Sequence, residues 1–182
     1  YNKMEKWDVA TRKLIWRFDS INNYCQAASV IDGNEIFFGA WDTYLYCLDA
    51  STGALKWKWN NGKKNNQLGP GNVVPVVTDD KVIIVAPDRY MTAIDRKTGK
   101  TIYRIPLKNY SWSSPVALYN EKNELFIFTG DVVGNVYLMR GKTGEILHTS
   151  HVANNFESSP IVIGNKVVCG SRGTQIYKMS IE

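Results

Sequence analysis

Histidine and cysteine are scarce in this chain of 182 residues, which holds 2 His and 3 Cys. Two histidines, His148 and His151, are too few for a multi-histidine metal centre. Cys25, Cys47 and Cys169 lie far apart, so no C-x-x-C spacing for a metal exists. The odd count argues against a disulfide framework. Cys47 and Cys169 sit inside apolar strand patterns, where a thiol acts as a small hydrophobe. No apolar run approaches the roughly 18 residues of a membrane span. No segment keeps a helical apolar period long enough to compete with strands. There is no block of one charge sign either: 22 basic and 17 acidic residues are mixed, for a net charge of +5. That dispersion, interrupted at Lys63-Lys64, fits a solvated surface and no nucleic-acid partner. The chain opens on Tyr1 without Met and without a basic-then-apolar leader, so a piece of a longer protein is expected.

What the chain has is a repeat. The stretches "WDVATRKLIWRF" from Trp7, "LDASTGALKWKW" from Leu48, "IDRKTGKTIYRI" from Ile94 and "MRGKTGEILHTS" from Met139 align without gaps. One column reads Asp8, Asp49, Asp95, Arg140 and, in a truncated fifth copy, Ser180. Its period in the forties is that of stacked supersecondary units. A second column holds Ser29, Pro75, Pro115 and Pro160; a third holds Gly39, Val85, Gly130 and Gly170. Spacing between columns is constant, except that the third unit is lengthened at "YNEKNE", a polar hairpin tip where insertion is tolerated.

Each unit reads as four short strands rich in Val, Ile, Tyr, Phe and Trp, with turn residues every 8–12 positions. The expected fold is therefore all-β, a β-propeller of four-stranded antiparallel blades. About four blades are present, either half of an eight-bladed ring or a small closed ring. The segment 1–182 divides into a partial blade at 1–20, blades near 26–62, 72–108 and 112–151, and a partial blade at 157–182. Strands are expected near 14–18, 29–32, 35–39, 44–48, 55–59, 74–78, 81–85, 90–94, 101–105, 115–118, 125–129, 135–139, 145–149, 160–163, 166–170 and 175–179. "NKMEKWD" repeats the phase of the final "TQIYKMSIE", so the third strand of a blade is supplied at both termini. That redundancy favours the half-ring. Open flanks would then meet a neighbouring domain or a second copy.

The Thr-Gly column holds Gly53, Gly99 and Gly144, where glycine supplies a positive φ between the third and fourth strands. Arg12 replaces glycine in the first copy, which puts that turn in doubt. Four residues after the glycine comes a ring: Trp16, Trp57, Tyr103 and then His148. Such a ring can lie across the next blade and bury the joint. The preceding Asp can bind turn amides. Read as ligands, these residues would have to converge on one point, whereas they recur around a ring. Asp42 and Asp88 are most simply turn residues between the second and third strands.

These columns resemble the tryptophan-docking repeat of pyrroloquinoline quinone (PQQ) propellers, as in "CLDASTGALKW" and "AIDRKTGKTIY". That family includes quinoprotein alcohol dehydrogenases and the non-catalytic propeller lipoprotein of the outer-membrane barrel-assembly machinery. "FFGAWDTYLYCLDA" and "IVAPDRYMTAIDRKTG" also look like propellers fused to bacterial calcineurin-like metallophosphoesterases. The resemblance implies a periplasmic or cell-envelope location. It does not carry catalysis over. The adjacent cysteine pair and the Glu, Asn and Asp calcium ligands of the dehydrogenases have no match here, and the phosphoesterase metal motifs are missing. The expectation is a non-catalytic scaffold or protein-interaction propeller with no catalytic residues, no cofactor and no metal. The alternatives are an accessory propeller of an enzyme and a ligand sensor.

Overall fold

The computed structural model describes residues 2–62, 68–152 and 154–181. Lys63 and Lys64 lie outside the described residues. The chain forms two compact units, Tyr1–Val74 and Pro75–Glu182. Among the described residues there is no α-helix.

The first unit holds two sheets. β1 (Met4–Trp7) pairs with β2 (Leu14–Phe18). β3 (Val30–Asp32), β4 (Glu35–Gly39), β5 (Tyr44–Asp49) and β6 (Leu55–Asn60) form a four-stranded antiparallel sheet in chain order. Trp16 and Phe18 from β2 pack with Ile36, Phe38, Tyr46 and Leu48 to make the core. Phe38 and Tyr46 stack with ring centroids 5.2 Å apart. Phe37, Leu45 and Cys47, on the other face of β4 and β5, are buried too. Burial on both faces explains why these strands are apolar runs and not alternating ones.

The second unit holds three sheets. β7 (Val76–Val77), β8 (Lys81–Ala86), β9 (Tyr90–Asp95) and β10 (Thr101–Pro106) form the first, again in chain order. The second has β11 (Val116–Tyr119), β12 (Leu125–Gly130), β13 (Asn135–Arg140) and β14 (Ile146–His151). The third has β15 (Ile161–Ile163), β16 (Lys166–Gly170) and β17 (Ile176–Ser180). Ile83, Val85 and Met91 meet Ile127, Tyr137 and Met139 in one core. Leu118, Phe128 and Phe156 meet Val167 and Cys169 in another.

Every third-to-fourth strand pair carries the same bulge. The register slips between Lys6 and Trp7, Cys47 and Leu48, Thr101 and Tyr103, and Leu138 and Met139. The residue left without a partner is Ile15, Lys56, Ile102 or Leu147, one position before each ring of the docking column. A bulge bends a strand and re-aims the side chain beside it. Here it turns Ile15, Ile102 and Leu147 outward into solvent.

Candidate functional site

The Asp-x-x-Thr-Gly corner closes on itself. Asp49 Oδ1 accepts from the amides of Ser51 and Thr52, at 3.0 and 2.8 Å, and from Thr52 Oγ1 at 2.9 Å. Asp95 does the same with Thr98 N at 2.8 Å and Thr98 Oγ1 at 2.7 Å, and Asp8 with Thr11 N at 2.6 Å and Oγ1 at 2.7 Å. Bonds from Thr11, Thr52 and Thr98 hold all three carboxyls below the usual carboxylate range. Gly53, Gly99 and Gly144 have φ of 74°, 69° and 78°. Arg12 takes the same left-handed conformation, φ 55°, so the first corner forms without glycine. At Arg140 the backbone turn persists, with Gly144 N bonded to Arg140 O at 2.8 Å, and the side chain pairs with Glu145 at 3.1 Å.

Two of the rings lie across the corner of the next sheet. Trp16 Nε1 donates to Ala50 O at 3.1 Å, and a Cβ placed on Gly53 would sit 2.6 Å from the indole. Tyr103 Oη donates to Gly141 O at 2.7 Å, and a Cβ on Gly144 would sit 2.8 Å from that ring. Burial raises the Tyr103 phenol to about 12, helped by the negative charge of Asp80. Trp57 is 8% exposed and lies 6.0 Å from the Phe37 ring. His148 is exposed beside Ser150. The columns are thus spread over separate sheets. Among the described residues no group of three His, Cys, Asp or Glu could hold a metal ion. The three thiols are free, and burial lifts Cys169 to about 11.

A second recurrent arrangement, which reading the sequence missed, lies where the β-sheets end on their connectors. In three sheets the turn between second and third strands donates one amide to the connector that enters the sheet. The pairs are Trp41 N to Tyr24 O at 3.0 Å, Val132 N to Tyr110 O at 3.1 Å and Arg172 N to Asn155 O at 3.2 Å. A left-handed residue closes that turn in each of the four sheets that have one: Thr43, Arg89, Gly134 and Thr174, with φ of 80°, 70°, 89° and 62°. Three of the four are not glycine, which is costly, especially for threonine. Thr43 is held by the amide of Asn60, and Arg89 O accepts from Leu107 N at 2.8 Å.

In each unit, carboxylates where the sheets meet their connectors serve the turns. Asp42 accepts from Tyr46 Oη at 2.6 Å, from Asn22 N at 3.0 Å and from Tyr44 N at 3.2 Å. Asp131 is fully buried and takes four bonds, from Val133 N, Asn135 N, Asn135 Nδ2 and Tyr137 Oη, at 2.7–3.1 Å. Asp88 pairs with Arg104 and accepts from Tyr90 N at 3.1 Å. Burial, followed by the hydrogen bonds to Asp42 and Asp131 and then their charges, pushes the Tyr46 and Tyr137 phenols well up. Carboxyl oxygens spent on turn donors are a poor calcium cage, because that ion needs 6–8 oxygens turned inward. The cysteines stand in separate segments, so the vicinal thiol pair is missing as well. The described residues do not fit a quinone with its calcium.

The connectors carry the exposed rings. Ser111 Oγ donates to Gly130 O at 2.6 Å and accepts from Ser113 N at 3.1 Å; Ser113 Oγ donates to Ser158 O at 2.9 Å. Between these two buried serines Trp112 is 47% exposed, with Tyr110 exposed beside it. Tyr24 occupies the place of Tyr110 in the first unit, also exposed, with its ring 6.1 Å from Trp41. The available signal was "SWSSP" against "ESSP", a Trp set between the serines that precede the recurrent proline.

The family described as outer membrane protein assembly factor BamB, built of PQQ-type repeats, matches residues 4–117. The chain belongs to this PQQ-like propeller family. It is 29% identical over 126 residues to the dehydrogenase subunit of a quinone alcohol dehydrogenase from Gluconobacter oxydans (strain 621H), covering 57% of this chain and 16% of that protein. It is 23% identical over 156 residues to the outer membrane protein assembly factor BamB of Moranella endobia (strain PCIT), covering 85% of this chain and 37% of that protein. Among solved structures, BamB from Moraxella catarrhalis superposes with a TM-score of 0.74 at 19% identity, over 92% of this chain and 49% of that one. The PQQ-like chain therefore spans well under two thirds of each of these relatives.

Proposed function

We propose that this PQQ-like propeller segment is non-catalytic and serves as a protein-interaction or scaffold part of a larger protein of the bacterial envelope. The observation that carries this reading is the connector end. There the Asp42 and Asp131 carboxylates are taken up by turn amides and phenols, while Trp112 and Tyr110 stand exposed on a hydrogen-bonded backbone. The match to an outer membrane protein assembly factor supports a protein partner and an envelope location. A neighbouring domain or a second copy covers the exposed Ile161, Ile163 and Ile176 of the three-stranded sheet.

The quinone dehydrogenase relatives favour a second reading, an accessory propeller of an enzyme. Turnover separates the two. The purified chain is incubated with PQQ, calcium, ethanol and a dye acceptor. Dye reduction no faster than with free quinone is expected. Saturable, calcium-dependent turnover would overturn the non-catalytic reading.

A further inference from the structure

The connector from β10 to β11 is fixed at nearly every step. Leu107 N donates to Arg89 O at 2.8 Å, and Lys108 N to Tyr137 Oη at 3.2 Å. Tyr110 O accepts from Val132 N at 3.1 Å, and Ser111 is tied to Gly130 O and Ser113 N. These bonds bring Arg89, Lys108, Tyr110, Trp112 and Val133 into one run along the same end of the second unit. All five side chains are exposed. Rings on an immobilised backbone have little freedom left to lose on binding.

The charge around this run has one sign. Among the described residues, Arg89 and Lys108 are in no ion pair. The nearby carboxylates are engaged internally, Asp88 by Arg104 and Asp131 by its four donors. The fold does not demand the rings, since the same two columns hold Pro70 and Asn72 one repeat earlier. An apolar centre with a cationic rim remains.

We propose that this patch binds an extended acidic peptide segment of a partner protein. An aromatic or aliphatic side chain of the peptide rests on Tyr110 and Trp112, and its carboxylates meet Arg89 and Lys108. The proposal rests on the protein-interaction reading and names the class of partner.

The test is fluorescence anisotropy with the whole chain and a labelled dodecapeptide of Asp, Phe and Leu. A second peptide with Lys in place of every Asp is the control. Saturable binding of the acidic peptide alone is expected. Trp112→Ala should weaken it about tenfold or more, the loss typical of a central aromatic anchor. The double variant Arg89→Glu, Lys108→Glu should lose the acidic peptide and gain the basic one. Raising salt from about 50 to about 300 mM should weaken binding, because exposed charges are screened. Lys122→Glu, on the β11–β12 tip at the other end of the sheet, should bind normally. Unchanged thermal melting checks that each variant is folded. No saturable binding, equal affinity for both peptides, or indifference to both variants would overturn the proposal. So would a patch occupied otherwise: vesicles with anionic phosphatidylglycerol bound in place of the peptide, or self-association abolished by Trp112→Ala. A failed titration together with absent quinone turnover sinks this proposal and leaves the non-catalytic reading standing.

Discussion

Gly144→Ala and Gly164→Ala form a controlled pair within the second unit. Both glycines have positive φ, 78° and 61°. A Cβ on Gly164 meets nothing within 4 Å, so its replacement costs only the left-handed conformation, about 1–2 kcal/mol. A Cβ on Gly144 would sit 2.5 Å from Ile105 Cγ1 and 2.8 Å from Tyr103 Cε2. Contacts that short force the docked ring to move, and overpacking of this kind adds about 1–3 kcal/mol. Gly144→Ala should therefore cost about 2–5 kcal/mol, against about 1–2 for Gly164→Ala. Urea unfolding followed by tryptophan fluorescence measures both. Tyr103 is the ring in question, and its bond to Gly141 O should be weakened in the Gly144 variant only. Equal losses for the two alanines would refute the claim that this glycine is required by a ring lying on it.

Other expectations follow from the same geometry. Trp57→Ala should cost about 3–5 kcal/mol, the range for a buried large aromatic, and exposed Lys122→Ala no more than about 0.5, both read from urea midpoints. Arg12→Gly should stabilise the chain by about 1 kcal/mol, because arginine there holds φ 55°; a loss of stability would contradict the corner described for the first copy. Acid should destabilise the corners. The Asp8, Asp49 and Asp95 carboxyls lie below their usual 3.8 in the folded state, so the stability they lend is present above that pH and lost as the pH falls through their lowered values. Glu5, held at about 2 by Lys3 and Arg17, extends the loss from pH 4.5 down to about 2. Asp95→Asn should flatten the pH dependence of the urea midpoint below pH 4 by the Asp95 share; an unchanged profile would rule that share out. Light scattering should show mass rising with concentration, and Ile176→Lys should suppress the rise; a strictly monomeric chain at every concentration would exclude a second copy at that sheet.

Most strands were legible because each pairs through a short turn with its chain neighbour, and such turns announce themselves in Gly, Asn and Asp. β4 and β16 fall where the apolar runs place them. β7 is shorter than expected, Val76–Val77, since Pro75 has no amide to give a ladder. The repeat makes the ring column visible, and Trp16 and Tyr103 in it each donate to the corner of the next sheet, whereas His148 in the same column is exposed. Arg12 was not legible, because an arginine in left-handed backbone leaves no compositional mark. Nor was the connector end. Ser113 Oγ reaches Ser158 O, 45 residues on, and Lys108 N reaches Tyr137 Oη, 29 residues on. Such contacts depend on how sheets stack, which periodicity does not encode. The residue types around Trp112 do not reveal that Ser111 and Ser113 on either side of it are buried and bonded.

The most direct measurement is photocrosslinking in bacterial cells, with a photoreactive amino acid replacing Trp112, Tyr24 or, as control, Lys122. Expected is a discrete adduct with an envelope protein from positions 112 or 24, and none from position 122, on the hairpin tip at the other end of its sheet. Adducts of equal yield from all three positions, or from 122 alone, would contradict a partner held at the connector end.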